Sequence, residues 1–367
     1  MLVEVAPEAD SWPMLTVIVP ARDEAADVEE CVRSLLEQDY PALEVIAVND
    51  RSSDGTAAIL DRVASSDKRM RVLHVQTLPA GWLGKNNACH VGAKNATGDW
   101  LLFTDGDVRF HPEAMRRALA FAMRYRLGHL VAFPKLIAPG YWERTFQTTF
   151  GLLLNLKFRV WELRKPRTHA FVGIGAFNLV ERQAYESVGG HTALAFEVID
   201  DVKLGLVLRR GGTRQGVVDA GPLVRVRWNA GLRGTMRGLI KNAFAGTDYR
   251  WSQVFIASAA ILVLTTLPPL AAVLAPSAGL RVVAGATTLL SITVCGAAAR
   301  RAAGGSGLEG LAFPACGPLL AATLLFSAVA TTLRGGVKWR GTLYPLRELR
   351  AGCVRGRERS VERVPGW

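Results

Sequence analysis

Two aspartates, Asp105 and Asp107, flank a single glycine at the end of an apolar run, LLFTDGDVRF, residues 101–110. Carboxylates at i and i+2 at a strand end can face one ion. A hard divalent cation held by one or two such carboxylates keeps positions open for phosphate oxygens. The same pair would also suit a solvated turn with a side-chain cap. A second acidic pair, Asp200–Asp201, sits in EVIDDVKLGLVLRRGG, where first-turn helix acids favoured by the dipole are an ordinary occurrence. Lys85, in GWLGKNNA, stands in a glycine loop just before a helix. A cation and helix N-terminal amides can meet phosphate there, with a plain solvated lysine as the alternative.

The elements that must position these residues alternate. LTVIVP, from Leu15 to Pro20, reads as a buried strand, and DEAADVEECVRSLLEQ puts Val28, Cys31, Val32, Leu35 and Leu36 at helical spacing. LEVIAVND is a second strand, AAILDRVASS a second helix, RVLHVQ a third strand, residues 86–96 a third helix and DWLLFTD a fourth strand. Strand and helix in alternation imply parallel strands under right-handed crossovers, a doubly wound α/β half within the first 110 residues. In such sheets ligands bind outside the carboxyl ends of the strands. Asp23 and Glu24 follow the first strand, Asp50 ends the second, and Asp105 and Asp107 end the fourth, so one crevice collects acids from distant parts of the chain. Asp54, in SSDGT, reads as a helix cap.

The 367 residues are 50% hydrophobic with a mean hydropathy of +0.18, which points to segments in lipid. Val254–Ala275, Val282–Ala299 and Leu311–Leu333 carry no charge, and each is near the ~20 residues a bilayer span requires. Pro268–Pro269, and Pro314 with Pro318, are expected to kink the first and third. Arg300 and Arg301, and a tail over 334–367 with eight Arg and one Lys against three Glu, both carry the basic signature of a cytoplasmic segment. Three full spans cannot satisfy both, so either one stretch is re-entrant or the tail departs from the rule. The five cysteines have no metal-ligand spacing and read as reduced thiols. The acidic, proline-broken start is not a secretory signal, which leaves the N-terminal domain in the cytoplasm. The net charge of +12 admits nucleic acid, anionic lipid or a polyphosphate-bearing substrate. Arginines cluster beside the spans and in the tail, and no nucleic-acid-binding motif is present, so no nucleic-acid partner is expected.

VIVPARDEAADVEECVRSLLEQDYP, VIAVNDRSSDGT, GWLGKNNACHVGAKNATGDWLLFTDGDV and DDVKLGLVLRRGG together resemble a family 2 glycosyltransferase of the GT-A fold, over roughly residues 14–250. The membrane-associated members most similar to it are the hopanoid-associated and carotenoid-type lipid glycosyltransferases. The resemblance implies an α/β, Rossmann-like nucleotide-sugar-binding domain over 1–250 (nucleotide-binding half 14–110, acceptor half 111–250). About three transmembrane helices over 251–333 and a basic tail over 334–367 follow. It implies that Asp105 and Asp107 form the family's DxD motif, binding Mg²⁺ or Mn²⁺, and that Asp50, with Glu24 and the Pro20–Ala21 backbone, binds the uracil or ribose edge. Asn49 stands where the family usually has an aspartate.

An inverting transfer needs a base for the acceptor's proton. The family's Glu-Asp motif aligns with Asp200–Asp201, which makes Asp201 the implied base. Arg227–Trp228 resembles an Arg/Trp motif that holds the diphosphate, although Val224 stands where a glutamine often precedes it. A basic interfacial helix at Arg225–Lys241 is an equal reading of that stretch. Residues 146–161 are expected to lie in the interface and shape an acceptor groove. The activity implied is inverting transfer of a sugar from a nucleotide-sugar donor to a lipid or other membrane-embedded acceptor. The alternatives are a processive polysaccharide synthase and a basic membrane-anchored nucleic-acid or anionic-lipid binding protein. A multi-pass protein of the cell membrane, with its catalytic domain cytoplasmic, is the expected setting.

Overall fold

The computed structural model describes residues 1–6, 11–163, 165 and 168–355. The chain divides into two compact units that are not contiguous in sequence. One holds residues 1–133, 162–224 and 351–367, and the other holds 134–161 and 225–350.

The first unit is built on β1 (Leu15–Ala21), α1 (Val28–Leu36), β2 (Leu43–Asp50), α2 (Thr56–Ala64), β3 (Met70–Val75), α3 (Gly84–Asn95), β4 (Trp100–Phe103), β5 (Val108–Phe110), α4 (Ala114–Arg124) and β6 (His129–Leu136). The eight-stranded sheet runs β3-β2-β1-β4-β7-β6-β8-β5, where β7 is Asn178–Glu181 and β8 is Gln215–Val226. β1 pairs in parallel with β2 and β4, and β2 with β3, whereas β7 runs antiparallel to β4 and β6. Every residue of β2 is buried, as expected of a parallel strand covered on both faces. The periodicity of α1 is realised, with Val28, Cys31, Val32 and Leu35 buried. α3 lies close on the sheet at Gly92, where an added Cβ would stand 2.5 Å from Ile18 Cγ2. The parallel half matches the expected α/β pattern. The antiparallel strand β7, in sequence far from its partners, makes the sheet mixed.

α6 (Arg182–Ser187) and α7 (Asp200–Arg210) complete the first unit. The second contains α5 (Tyr141–Phe158), α8 (Gly231–Asn242), α9 (Trp251–Thr265), α10 (Leu267–Leu274), α11 (Ala278–Ala303) and α12 (Phe313–Leu333), then a hairpin of β9 (Gly336–Trp339) and β10 (Thr342–Pro345), and α13 (Leu346–Ala351). Phe146 of α5, Leu239 of α8 and Cys316 and Leu320 of α12 share one buried cluster, so residues 134–161 and 225–250 pack with the C-terminal helices. That grouping cuts across the linear boundary expected at residue 250.

Two of the three charge-free stretches lie in helices long and apolar enough to cross a membrane, Ala278–Ala303 and Leu308–Leu333. The first stretch is broken. α9 and α10 meet at 49°, because Pro268 and Pro269 in the first turn of α10 cannot continue the hydrogen-bond ladder of α9. α11 outlasts its 18-residue charge-free core because Ser277 caps its start, accepting from the Leu280 amide, and Gly304 ends it in the left-handed region. Val282, Val283, Leu289 and Leu290 of α11 are each more than 60% exposed, a surface suited to lipid.

Candidate functional site

The mouth of β1 and β4 opens on a pocket lined by Pro20, Lys85, Cys89, Asp105, Gly175, His191, Asp200 and Asp201, among others. Separate stretches of sequence meet there: the end of β1, the first turns of α3, the β4–β5 turn, the segment that enters β7, the turn after α6 and the first turns of α7.

α3 starts at Gly84, two residues earlier than its pattern suggested, so Lys85 lies in the first helical turn and not in the preceding loop. Its ammonium stands 2.7 Å from Asp105 Oδ1 and 3.7 Å from Asp200 Oδ1. Burial works against that charge, yet Asp105, Asp200 and Asp201 hold the ammonium well above the ordinary lysine range. One turn along, Cys89 faces the same pocket. Cys89, His191 and Asp200 each offer a donor atom within 4.8 Å of the others, all buried. His191 is neutral, pushed down to about 3 by burial and by Lys85 and His90, and its Nδ1 pairs with the Tyr185 hydroxyl at 2.9 Å.

Gly175 joins the two acidic regions through one residue. Its N–H donates to Asp201 Oδ2 at 2.7 Å, and its carbonyl accepts from the Asp105 amide at 3.0 Å. A side chain there would force a shift, because a Cβ at Gly175 would lie 2.4 Å from Asp105 Oδ2. Asp201 Oδ1 accepts from the Val202 amide at 2.8 Å. Burial raises the Asp201 carboxyl above its usual range, Lys85 opposes that, and Asp105 adds to it. Burial, then the charges of Asp105, Glu24 and Asp27, push Asp107 up to about 7. Acids crowded with too little positive charge behave in this way, and the donors that Asp105 and Asp107 offer are all oxygen. The residues present therefore fit a hard divalent cation.

The other expected site residues divide. Glu24 contributes to the acidic crowding at Asp107. Asp50, 3% exposed, receives both Arg51 Nε at 2.7 Å and Arg51 Nη2 at 2.9 Å. The Asn49 side chain pairs with His74 at 3.1 Å. Asp54 accepts from the Thr56 amide and from the Ala25 amide, tying the start of α2 to the β1–α1 loop; the cap position itself is Gly55, so Asp54 stands one residue before the cap expected of it. Asp23 serves the same loops, accepting from the Ser53 amide at 2.7 Å. Arg227 and Trp228 belong to the second unit, where Trp228 stacks on Phe150 at 5.3 Å and Arg227 is exposed. Residues 146–161 fall largely in α5, which packs in that unit.

Gly175, Cys89 and His191 escape a reading by motif. A retrospective signal exists only for Cys89, which stands four residues after Lys85 and so shares its helical face.

Residues 16–189 match the Glycosyl transferase family 2 model. The 4,4'-diaponeurosporenoate glycosyltransferase of Staphylococcus aureus strain USA300 is 29% identical over 238 residues, 63% of this chain and 61% of that relative. Its counterpart in strain MRSA252 aligns with the same identity and coverage. The match thus spans less than two thirds of the length of these relatives. Among solved structures, a mannosyltransferase from Pyrobaculum calidifontis in complex with GDP-Man and Mn2+ shares the fold, with a TM-score of 0.55, 20% identity and 90% of each chain covered.

Proposed function

We propose that this chain, whose residues 16–189 match the Glycosyl transferase family 2 model and whose fold is GT-A-like, acts as a glycosyltransferase of that family and transfers a sugar, with inversion, from a nucleotide-sugar donor to a hydroxyl or carboxylate of a membrane lipid. The observation that carries the reading is the Asp201 carboxylate. It is held by the Gly175 and Val202 amides, raised by burial and tied through Gly175 to the strand end that bears Asp105. A carboxylate raised toward neutrality is a better proton acceptor for an alcohol than a free one.

In this mechanism Asp201 takes the acceptor's O–H proton as that oxygen attacks the anomeric carbon from the face opposite the nucleotide. The new C–O bond forms as the bond to the nucleotide diphosphate breaks, and the diphosphate leaves with the bonding pair. Asp105 and Asp107 would hold a Mg²⁺ or Mn²⁺ ion, whose chemistry when bound is to neutralise charge on the diphosphate. Lys85 orients Asp105 and Asp200 and adds positive charge where the leaving group develops negative charge. Asp50, Glu24 and the Pro20–Ala21 backbone bind the base and ribose. The division into a catalytic region over 1–250, spans over 251–333 and a tail over 334–367 belongs to the same reading. Residues 356–367 of that tail lie outside the described residues.

A lipid acceptor is supported by the apolar helices and by the likeness to a glycosyltransferase named for a carotenoid acid. The setting follows: a multi-pass protein of the cell membrane whose catalytic unit faces the cytoplasm. A processive synthase would require more spans to enclose a channel than the two or three found among the described residues. Membranes containing the protein, incubated with a panel of nucleotide sugars, should yield lipids carrying one added sugar, read by mass spectrometry. Lipids carrying long sugar chains, or sugar released only to water, would overturn the proposal.

A further inference from the structure

We propose that residues 352–355 form a strap that holds the first turn of α7 in place, with Glu197 and Lys203 as positioning residues for Asp201. The inference rests on the reading of Asp201 as the base.

After α13 the chain rejoins the first unit at Ala351. Val354 is then grasped by both of its backbone polar groups. Its N–H donates to Glu197 Oε1, and its carbonyl accepts from Lys203 Nζ. These two side chains bracket the acidic pair, three residues before Asp200 and two residues after Asp201. They are 1% and 4% exposed and stand 4.0 Å apart. The Val354 side chain packs against a buried cluster that includes Cys89, Phe103, Leu204 and Leu208. Arg210, at the other end of α7, donates to the Arg355 carbonyl. The strap therefore touches α7 near its first and last turns and reaches the apolar floor beneath the site.

Buried charges are tolerated when hydrogen bonds satisfy them. Here a single peptide residue contributes an N–H to the buried carboxylate and a carbonyl to the buried ammonium. Without the strap, Glu197 and Lys203 would each lose a hydrogen bond, and the turn between them carries Asp200 and Asp201. Opposite the strap, Asn86 Nδ2 donates to the carbonyls of Leu194 and Glu197 at 2.5 Å and 2.9 Å. The entry to α7 is thus clamped between α3 and the C-terminal segment. Displacement of a base by about 1 Å can cost on the order of 10²-fold in rate, so the clamp controls transfer more than it controls donor binding.

The test compares the full-length protein, a protein ending at Ala351, Lys203→Met and Lys203→Arg, each purified in detergent. Hydrogen exchange of residues 196–204 should rise several-fold in the shortened protein and in Lys203→Met, with Lys203→Arg near wild type. With the nucleotide sugar that supports transfer, kcat should fall at least about tenfold in the first two while the donor KM stays within about threefold. Unchanged exchange at 196–204 overturns the strap, whatever the activity. A kcat within about twofold of wild type despite raised exchange, or kcat and KM worsening together, overturns the positioning role. Absence of transfer by the full-length protein removes the reading of Asp201 instead, while the exchange measurement still judges the strap.

Discussion

The Lys85 ammonium lies 2.7 Å from the Asp105 carboxylate, and this contact joins the first turn of a helix to the end of a strand twenty residues later. It places a permanent positive charge among three acids, Asp105, Asp200 and Asp201, that would otherwise repel one another at close range. Lys85→Ala should accordingly disturb both the donor site and the acidic pair of α7, whereas a residue serving one of them alone would disturb only that one.

The Asp201 assignment separates chemistry from binding. Asp201→Asn keeps the size of the side chain and should lose ~10²–10⁴-fold in single-turnover transfer, with donor affinity by calorimetry nearly unchanged. If Asp201 were only a first-turn acid, the change would lower stability by about 0.3–1 kcal/mol and leave the rate intact.

Asp107 predicts a pH dependence. Its carboxyl, raised from 3.8 to about 7 in the folded protein, binds its proton more tightly than in the unfolded chain. Between those values the folded state carries more protons, so the stability of the metal-free protein falls as pH rises from about 4 to about 7. Thermal unfolding of chelator-treated protein should show this slope, and Asp107→Asn should flatten it. Added Mn²⁺ should raise the unfolding temperature most at the upper end of the window, where the carboxylate is ionised. A slope that survives in Asp107→Asn would assign the titration to another group.

Gly175→Ala tests the link between the acids. With 2.4 Å between the new Cβ and Asp105 Oδ2, either that carboxylate or the Gly175 peptide must move, and the peptide also holds Asp201. Transfer should drop by about 10²-fold and Mn²⁺ binding should weaken, while far-ultraviolet circular dichroism remains that of the native fold. Wild-type kinetics would mean that the pocket is looser than its distances indicate.

For the apolar helices the expected outcome is retention in membranes through alkaline carbonate washing, with release by detergent. Recovery in the aqueous fraction would place α11 and α12 inside a soluble assembly.

Much of the parallel half of the sheet was legible because each strand is a run of β-branched and apolar residues followed by an amphipathic helix, as in LTVIVP and VEECVRSLL. The acidic residues that follow apolar strands point to the end of β4, where Asp105 lies at the pocket. What could not be read were features made by long-range packing. The antiparallel insertion of β7 beside β4 depends on partners about 75 residues apart. Gly175 carries no chemistry of its own and matters through its backbone. The bend between α9 and α10 was foreshadowed by two adjacent prolines, but the union of α5 and α8 with the C-terminal helices was not, because their apolar faces do not say which surface they meet.

The return of residues 351–355 to the unit that also contains residues 1–6 and the first strand sets a parity rule for the membrane. Where the apolar helices cross a bilayer, a water-exposed unit occupies one face of it, so the chain between Val224 and Ala351 traverses the lipid an even number of times. Of the three charge-free stretches, one must therefore enter and leave by the same face or stay within the leaflet, and the 49° break between α9 and α10 supplies the shape of such a return. With that stretch returning, α11 leaves the catalytic side and α12 comes back to it, so the basic tail lies on the catalytic side and Arg300–Arg301 on the far side, as the exception to the positive-inside tendency. Reporter fusions at Pro276, between α10 and α11, and at the C-terminus should show the same sidedness, with a fusion after Gly305 on the opposite side; opposite sidedness of the first two would break the rule.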